Sequence, residues 1–284
     1  MKTSAIVAAD VRRRRVVADI FRAIRLLTSA ATPFRCTLII LGLGCLHLAA
    51  AAAQVAAPIV PADPVAAGHE LVTRLLALRP TESVTNEAVL RVRVNKTNEF
   101  EVPLRIEVCV GETNWSTIYR TLPGTNSMAT FTLTVRRQVS GSNIYELRRD
   151  IGDSVESKQV ADVDAMTPFA GSDFWLGDLG MVFLHWPTQR LLKKELCRGQ
   201  SCDKLESLAP AGQTNGYVRV ISWFDIDTGG PVLVEAYDAG GKILKEFKPN
   251  DFKKVNGQWQ VEELEMNNLR TGSRSYLRFK LDTK

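Results

Sequence analysis

Ala88-Val-Leu-Arg-Val-Arg-Val94 alternates apolar and polar side chains with a period of two. That period belongs to a β-strand with one face buried and the other in water. The same alternation returns in Val102–Val110, Ser116–Leu122 and Ala129–Gln138, and Ser142–Arg149 follows. Turn formers separate these runs: Asn95-Lys-Thr-Asn98, Gly111, Pro123-Gly124 and Ser140-Gly141. The spacing, about 10–14 residues, favours an antiparallel meander over βαβ units.

Downstream, residues 161–187 break the pattern with ADVDAMTPFAGSDFWLGDLGMVFLHWP, rich in Phe and Trp but broken by Gly, Asp and Pro. Ser172-Asp173 is placed to cap a short helix running through Asp178, Leu179 and Phe183. Strands resume at Leu191–Cys197, Cys202–Leu208, Tyr217–Phe224, Pro231–Tyr237 and Lys242–Lys248. Phe252–Val255 and Gln258–Asn267 flank Asn256-Gly257, a type I′ hairpin signal. In the last run, Ser275–Leu281, Leu277, Phe279 and Leu281 share one face. About 10 or 11 strands are expected. Upstream, Asp63-Pro64 reads as a helix start, with Leu71, Val72, Leu75, Leu76 and Leu78 at helical spacing and Arg79-Pro80 as the stop. The expected class is mostly β (α+β), with one domain over residues 64–284 and a Pro- and Ala-rich linker over 54–63.

The charge divides the chain differently. The 284 residues carry 36 basic and 31 acidic groups, a net +5. Residues 1–53 hold eight basic and two acidic side chains, a net +6; residues 54–284 hold 28 and 29, a net −1. The body therefore has no basic excess with which to bind nucleic acid. Residues 36–53, CTLIILGLGCLHLAAAAA, are free of charge and follow the basic stretch. Basic, apolar, then small is the order of a secretory signal peptide, and Ala51–Ala53 offer its cleavage site. Three other readings compete: an uncleaved anchor through 36–53, a lipid on Cys45, and a twin-arginine signal, whose Arg run sits more than 20 residues before the apolar core. The anchor is short for a bilayer, which needs about 20 apolar residues. The lipid attachment has Gly42 where Leu is wanted. The expected location is exported and periplasmic.

No catalytic motif stands out. His69 and His185 are the only histidines beyond residue 53, and no G-x-S-x-G, P-loop or dinucleotide fingerprint occurs. Asp225-Ile-Asp227 has a paired-carboxylate spacing, but Thr228-Gly-Gly230 follows at once, so turn capping is the simpler role. Asn95-Lys-Thr97 and Asn114-Trp-Ser116 are glycosylation sequons, relevant only in a cell with that machinery. Cys197 and Cys202 flank Arg-Gly-Gln-Ser; across a four-residue hairpin loop they would lie within disulfide reach. Cys109 reads as a buried thiol. No metal or cofactor is expected.

A sheet with an apolar concave face must cover it, and the two helical elements are suited to do so. Periodicity alone leaves open whether a packed core or a cavity results. Pro168-Phe-Ala-Gly-Ser-Asp-Phe-Trp-Leu-Gly-Asp-Leu179 resembles the F-x-G-[ST]-D-F-x-x-x-D-L signature of LolA-like outer-membrane lipoprotein-sorting proteins. Trp223-Phe-Asp225, the run Glu235–Lys245, Lys254–Trp259 and Met266–Ser273 agree in order. The resemblance implies a half-open, strongly curved antiparallel sheet, a half-barrel, whose helices plug an apolar cavity. It implies an exported, monomeric, non-enzymatic carrier of lipid or lipoprotein acyl chains, working with envelope donor and acceptor proteins. The alternative is a structural or interaction module of the cell envelope with a filled core. The candidate cavity and cover residues are Leu71, Leu75, Leu78, Phe169, Phe174, Trp175, Phe183, Trp223, Leu277 and Phe279.

Overall fold

The structure, a computed structural model, describes residues 60–281 apart from 124–128, 139–140, 153, 161–164, 214–215 and 256–257. The leader 1–53, most of the linker, and the turn residues Gly124, Ser140 and Asn256-Gly257 lie outside the described residues. Helix α1 is Pro64–Leu76. Six strands follow: β1 Val84–Arg93, β2 Glu99–Val110, β3 Asn114–Thr121, β4 Ala129–Gln138, β5 Ile144–Ile151 and β6 Ser154–Val160. Then come the short helix α2 (Leu176–Gly180) and a 3-10 turn (Val182–His185). Seven strands close the chain: β7 Thr188–Cys197, β8 Gln200–Leu208, β9 Arg219–Asp225, β10 Pro231–Tyr237, β11 Ile243–Val255, β12 Gln258–Asn268 and β13 Arg274–Phe279.

All 13 strands form one sheet, ordered β6-β5-β4-β3-β2-β1-β13-β12-β11-β10-β9-β8-β7, and every pairing is antiparallel. Two meanders meet where β1 pairs with β13, Leu90 opposite Leu277 and Ala88 opposite Phe279. The sheet is open, a curved half-barrel, with β6 and β7 as its two edges. Consecutive strands β6 and β7 thus lie at opposite ends of the sheet. The connection between them has to cross a whole face, and it crosses the concave one.

The concave face carries the alternating apolar set read from the sequence. Leu90 and Val92 of β1, Leu104 and Ile106 of β2, and Leu133 and Val135 of β4 are all buried in one cluster. Helix α1 begins as expected, with the Asp63 carboxylate accepting from the Val65 and Ala66 N–H groups at 3.0 Å. It lies on the other end of the same face, where Leu71 and Val72 pack with Leu191, Leu205 and Phe224. Gly68 permits this approach: a Cβ there would stand 2.5 Å from the Gln189 carbonyl oxygen and 2.6 Å from the Arg190 nitrogen.

Several expectations are corrected. Among the described residues the strands number 13 rather than about 10 or 11. Strand β6, SVESKQV, is exposed throughout except for Val160, so it carries no alternation to read. The expected runs Lys242–Lys248, from Ile243 onward, and Phe252–Val255 fall on one strand, β11, which is irregular around Pro249 and Asp251. Helix α1 stops at Leu76, three residues before Arg79. The Cys197–Cys202 hairpin turns at Arg198-Gly199, both with positive φ (49° and 83°). Cys197 therefore faces Gln200, Cys202 faces Glu195, and both thiols are free. Burial pushes the Cys202 thiol up to about 12. Cys109 is exposed, because Leu104, Ile106 and Val108 take the inward positions of β2.

Gly68→Ala tests the docking of α1. The added methyl improves helix propensity by about 1 kcal/mol but meets rigid backbone. We expect a net loss of about 1–3 kcal/mol in denaturant unfolding, since overpacking against backbone has no flexible side chain to absorb it.

Candidate functional site

The concave face is the candidate site, and it has two halves. Under β1–β5 and β11–β13, the crossing segment buries Phe169, Phe174, Leu176 and Val182 against the sheet, beside Leu277 and Phe279 of β13. Tyr119 meets Phe169 edge to face at 6.3 Å, and Phe174 meets Phe247 at 6.2 Å. Under β7–β11, Leu71, Leu75, Phe183 and Trp175 pack in the second cluster. Leu78 is 38% exposed, at the rim. Trp223 stands apart from the other nine: it lies on the opposite, convex face with Cys202, Ile221 and Val232. Its indole N–H donates to Glu195 at 2.8 Å, and Lys204 lies over the ring. Odd-numbered β9 residues point outward while Val220 and Phe224 point in.

Polar ties fix the crossing segment. Ser172-Asp173 caps no helix; α2 starts at Leu176, with the Asp178 carboxylate accepting from the Trp175 N–H at 2.8 Å. Ser172 instead closes the turn, donating to the Phe169 carbonyl at 2.7 Å and accepting from the Phe174 N–H. Asp173 reaches the sheet. Its carboxylate accepts from Ser273 Oγ (2.6 Å), Ser275 Oγ (2.8 Å) and Asn268 Nδ2 (3.0 Å). Its N–H donates to Ser275 Oγ at 2.8 Å, and its carbonyl accepts from Lys245 Nζ at 2.6 Å. One buried residue thus joins the segment to β11, the end of β12 and the start of β13. Sequence reasoning placed Asp173 in the signature but did not find Ser273, Ser275 or Lys245 as its partners.

Lys245 is the unusual group. It is 2% exposed and points into the concave face. Its ammonium lies 3.5 Å from the centre of the Trp175 ring and 5.6 Å from that of Tyr217, and these two rings stack at 4.5 Å. Asp178 Oδ2 is 3.7 Å away, outside hydrogen-bond range, and accepts from the Tyr217 hydroxyl at 3.2 Å. Desolvation dominates: it lowers Lys245 to about 8 despite the attraction of Asp178 and Asp173, and it raises Asp178 above the usual carboxylate value. The space among Asp178, Phe183, Tyr217, Lys245, Phe247 and Met266 measures about 10 Å³, no more than one water.

The other sequence candidates do not converge. Asp225 is a turn cap: its Oδ2 accepts from the Thr228 N–H (2.9 Å) and Oγ1 (2.6 Å). Asp227 is exposed beside it. His69 lies on α1 and His185 ends the 3-10 turn, in separate elements. Among the described residues no group of three His, Cys, Asp or Glu side chains is arranged to hold a metal.

Comparison with known proteins agrees with this geometry. A family model described as "Uncharacterized protein" matches residues 153–282. No curated protein matches the sequence. Among solved structures, a DUF1329 family protein from Desulfovibrio piger aligns with a TM-score of 0.61 at 18% identity, over 77% of this chain and 92% of that one. A Vibrio parahaemolyticus domain assigned as an outer membrane lipoprotein-sorting protein gives 0.61 at 21%, over 76% and 91%. A LolA superfamily protein from Nitrosomonas europaea gives 0.51 at 16%, over 76% and 91%. The chain shares the fold of these proteins, as its motifs suggested.

Two measurements probe the site. Asp173→Ala leaves Ser273, Ser275 and Asn268 without their acceptor. We expect a loss of about 2–4 kcal/mol and faster hydrogen exchange of the amides in 165–187 than elsewhere. For Lys245, the unfolded chain holds its proton more tightly than the folded one. Stability is therefore gained as pH rises from about 8 toward 10.5. Relative to Lys245→Met, the wild type should gain on the order of 1–3 kcal/mol over that window in denaturant titrations.

Proposed function

We propose that this protein is an exported, periplasmic carrier that shelters the acyl chains of lipids or lipoproteins on the concave face of its sheet. The observation that carries the reading is the cover. Helix α1 and segment 165–187 supply no strand to the sheet, yet they bury its apolar face with Leu71, Phe169, Phe174, Leu176, Val182 and Phe183. Leu75, Leu78 and Trp175 from the cover, with Leu277 and Phe279 from β13, complete the surface proposed to meet the cargo. The lipoprotein-sorting assignment of the Vibrio structure supports the same cargo class.

The physical chemistry suits transport. Exposing an acyl chain to water costs about 0.8 kcal/mol per CH2, so a carrier must bury most of it. Here the cover's own side chains occupy the apolar face when cargo is absent. Cargo then replaces apolar contacts with apolar contacts, and the net affinity stays low enough for release. The +6 leader with its apolar 36–53 stretch supports export. No catalytic step is assigned: the titratable groups on this face serve as ties.

A second reading, an envelope module with a permanently filled core, is favoured by the space of about 10 Å³ beside Lys245. Native mass spectrometry of the protein purified from the envelope, combined with uptake of a fluorescent fatty acid, separates the two. A carrier co-purifies with lipid and takes up the probe, faster in Asp173→Ala. A protein that carries no lipid and takes up none, in either form, is the filled module.

A further inference from the structure

Within the carrier reading, on which this rests, the cargo's head group is also written into the site. Asp178 belongs to the crossing segment, whereas on the side of the sheet Lys245 lies in β11 and Tyr217 two residues before β9. The Asp178 carboxylate is held by two groups from that side: the Tyr217 hydroxyl at 3.2 Å and the Lys245 ammonium at 3.7 Å. The other anchor of Lys245, the Asp173 carbonyl at 2.6 Å, also belongs to the segment. So does Trp175, the nearer of the two rings over the ammonium. When the segment lifts, Lys245 loses every close partner but Tyr217. A cation and a phenol donor are left side by side on an apolar surface of Val220, Val234, Phe247 and Met266.

We propose that Lys245 and Tyr217 form a receptor for the anionic head group of an acyl ligand, and that Asp178 holds this receptor in the closed state as an internal stand-in. The preferred cargo is then an acyl chain with a carboxylate or phosphate close to its end, rather than a neutral acyl group. Chemistry accounts for the choice. A buried ammonium with no counter-ion is strongly disfavoured, so a ligand that brings an anion satisfies both the cation and the apolar wall. A neutral ester satisfies only the wall. A charge-assisted bond in a desolvated setting is also stronger than a neutral one. Phe183, on the segment, also lines the space, so lifting the segment would remove it together with Asp178.

The test compares head groups on one chain length. Protein from cells expressing the full chain is titrated with a fluorescent long-chain fatty acid, its methyl ester, and the matching alkyl phosphate. The acid or the phosphate, or both, should bind the wild type at least about tenfold more tightly than the ester. Which of the two binds more tightly identifies the head group. In Lys245→Met the preference should disappear while ester binding stays, and in Tyr217→Phe it should fall by a few-fold. Equal binding of acid, phosphate and ester to the wild type overturns this proposal and leaves the carrier reading intact. Absence of binding by all three overturns both. If Lys245→Met does not fold, the wild-type comparison and Tyr217→Phe still decide.

Discussion

The structure depends on one pairing, that of β1 with β13. It joins strands near the two ends of the body, with Leu90 against Leu277 at its centre. Each meander grows outward from that seam, so β6 and β7, neighbours along the chain, become the two edges of the sheet. An antiparallel hairpin cannot link them. The chain must pass over a face, and the apolar face is the one that gains from being covered. The crossing segment is therefore a consequence of topology before it is a device. Its composition follows: aromatic residues toward the sheet, with Gly and Ser where it turns.

Covering the face with apolar contacts alone would leave the crossing segment free to slide, since such contacts have little direction. Asp173 supplies the direction. Its carboxylate, carbonyl and N–H are all committed to the sheet through Ser273, Ser275, Asn268 and Lys245. A buried carboxylate satisfied by hydroxyls, an amide and a nearby ammonium holds register as well as position. The lysine is the weak member. Its ion contact with Asp178 is long and its charge is poorly solvated, so the strongest tie and the most uneasy group lie within one network.

Much of this was legible in the sequence. Ala88–Val94 announced β1 because its wet and dry faces alternate cleanly, and Asp63-Pro64 announced α1 because a capping carboxylate followed by Pro has few other uses. The ordered motifs around Phe169–Leu179 pointed to the fold. Other features had no local signal. Strand β6 is exposed on both faces up to its last residue, Val160, so pairing with β5 creates it rather than its own pattern. Cys197 and Cys202 depended on a loop length that two positive-φ residues, Arg198 and Gly199, reset by shortening the turn. Lys245 lies in a run whose period is broken: pairing with β10 slips where Ala236 gives way to Tyr237, and the adjacent Leu244 and Lys245 are both buried. No rule of alternation turns two consecutive residues toward one core, so the ammonium became visible only with the register.

Because the crossing segment is tethered to both edges of the sheet, any opening would leave it attached to the molecule. Resealing is then an intramolecular event, governed by an effective concentration that the tethers set and that dilution cannot change. Under the carrier reading, a guest would compete against this fixed local concentration rather than against a free inhibitor. A vacated face would also reclose at the same rate whether the protein is scarce or abundant. The strand order thus makes the cover of the apolar surface part of the same chain, joined to the sheet at both of its edges.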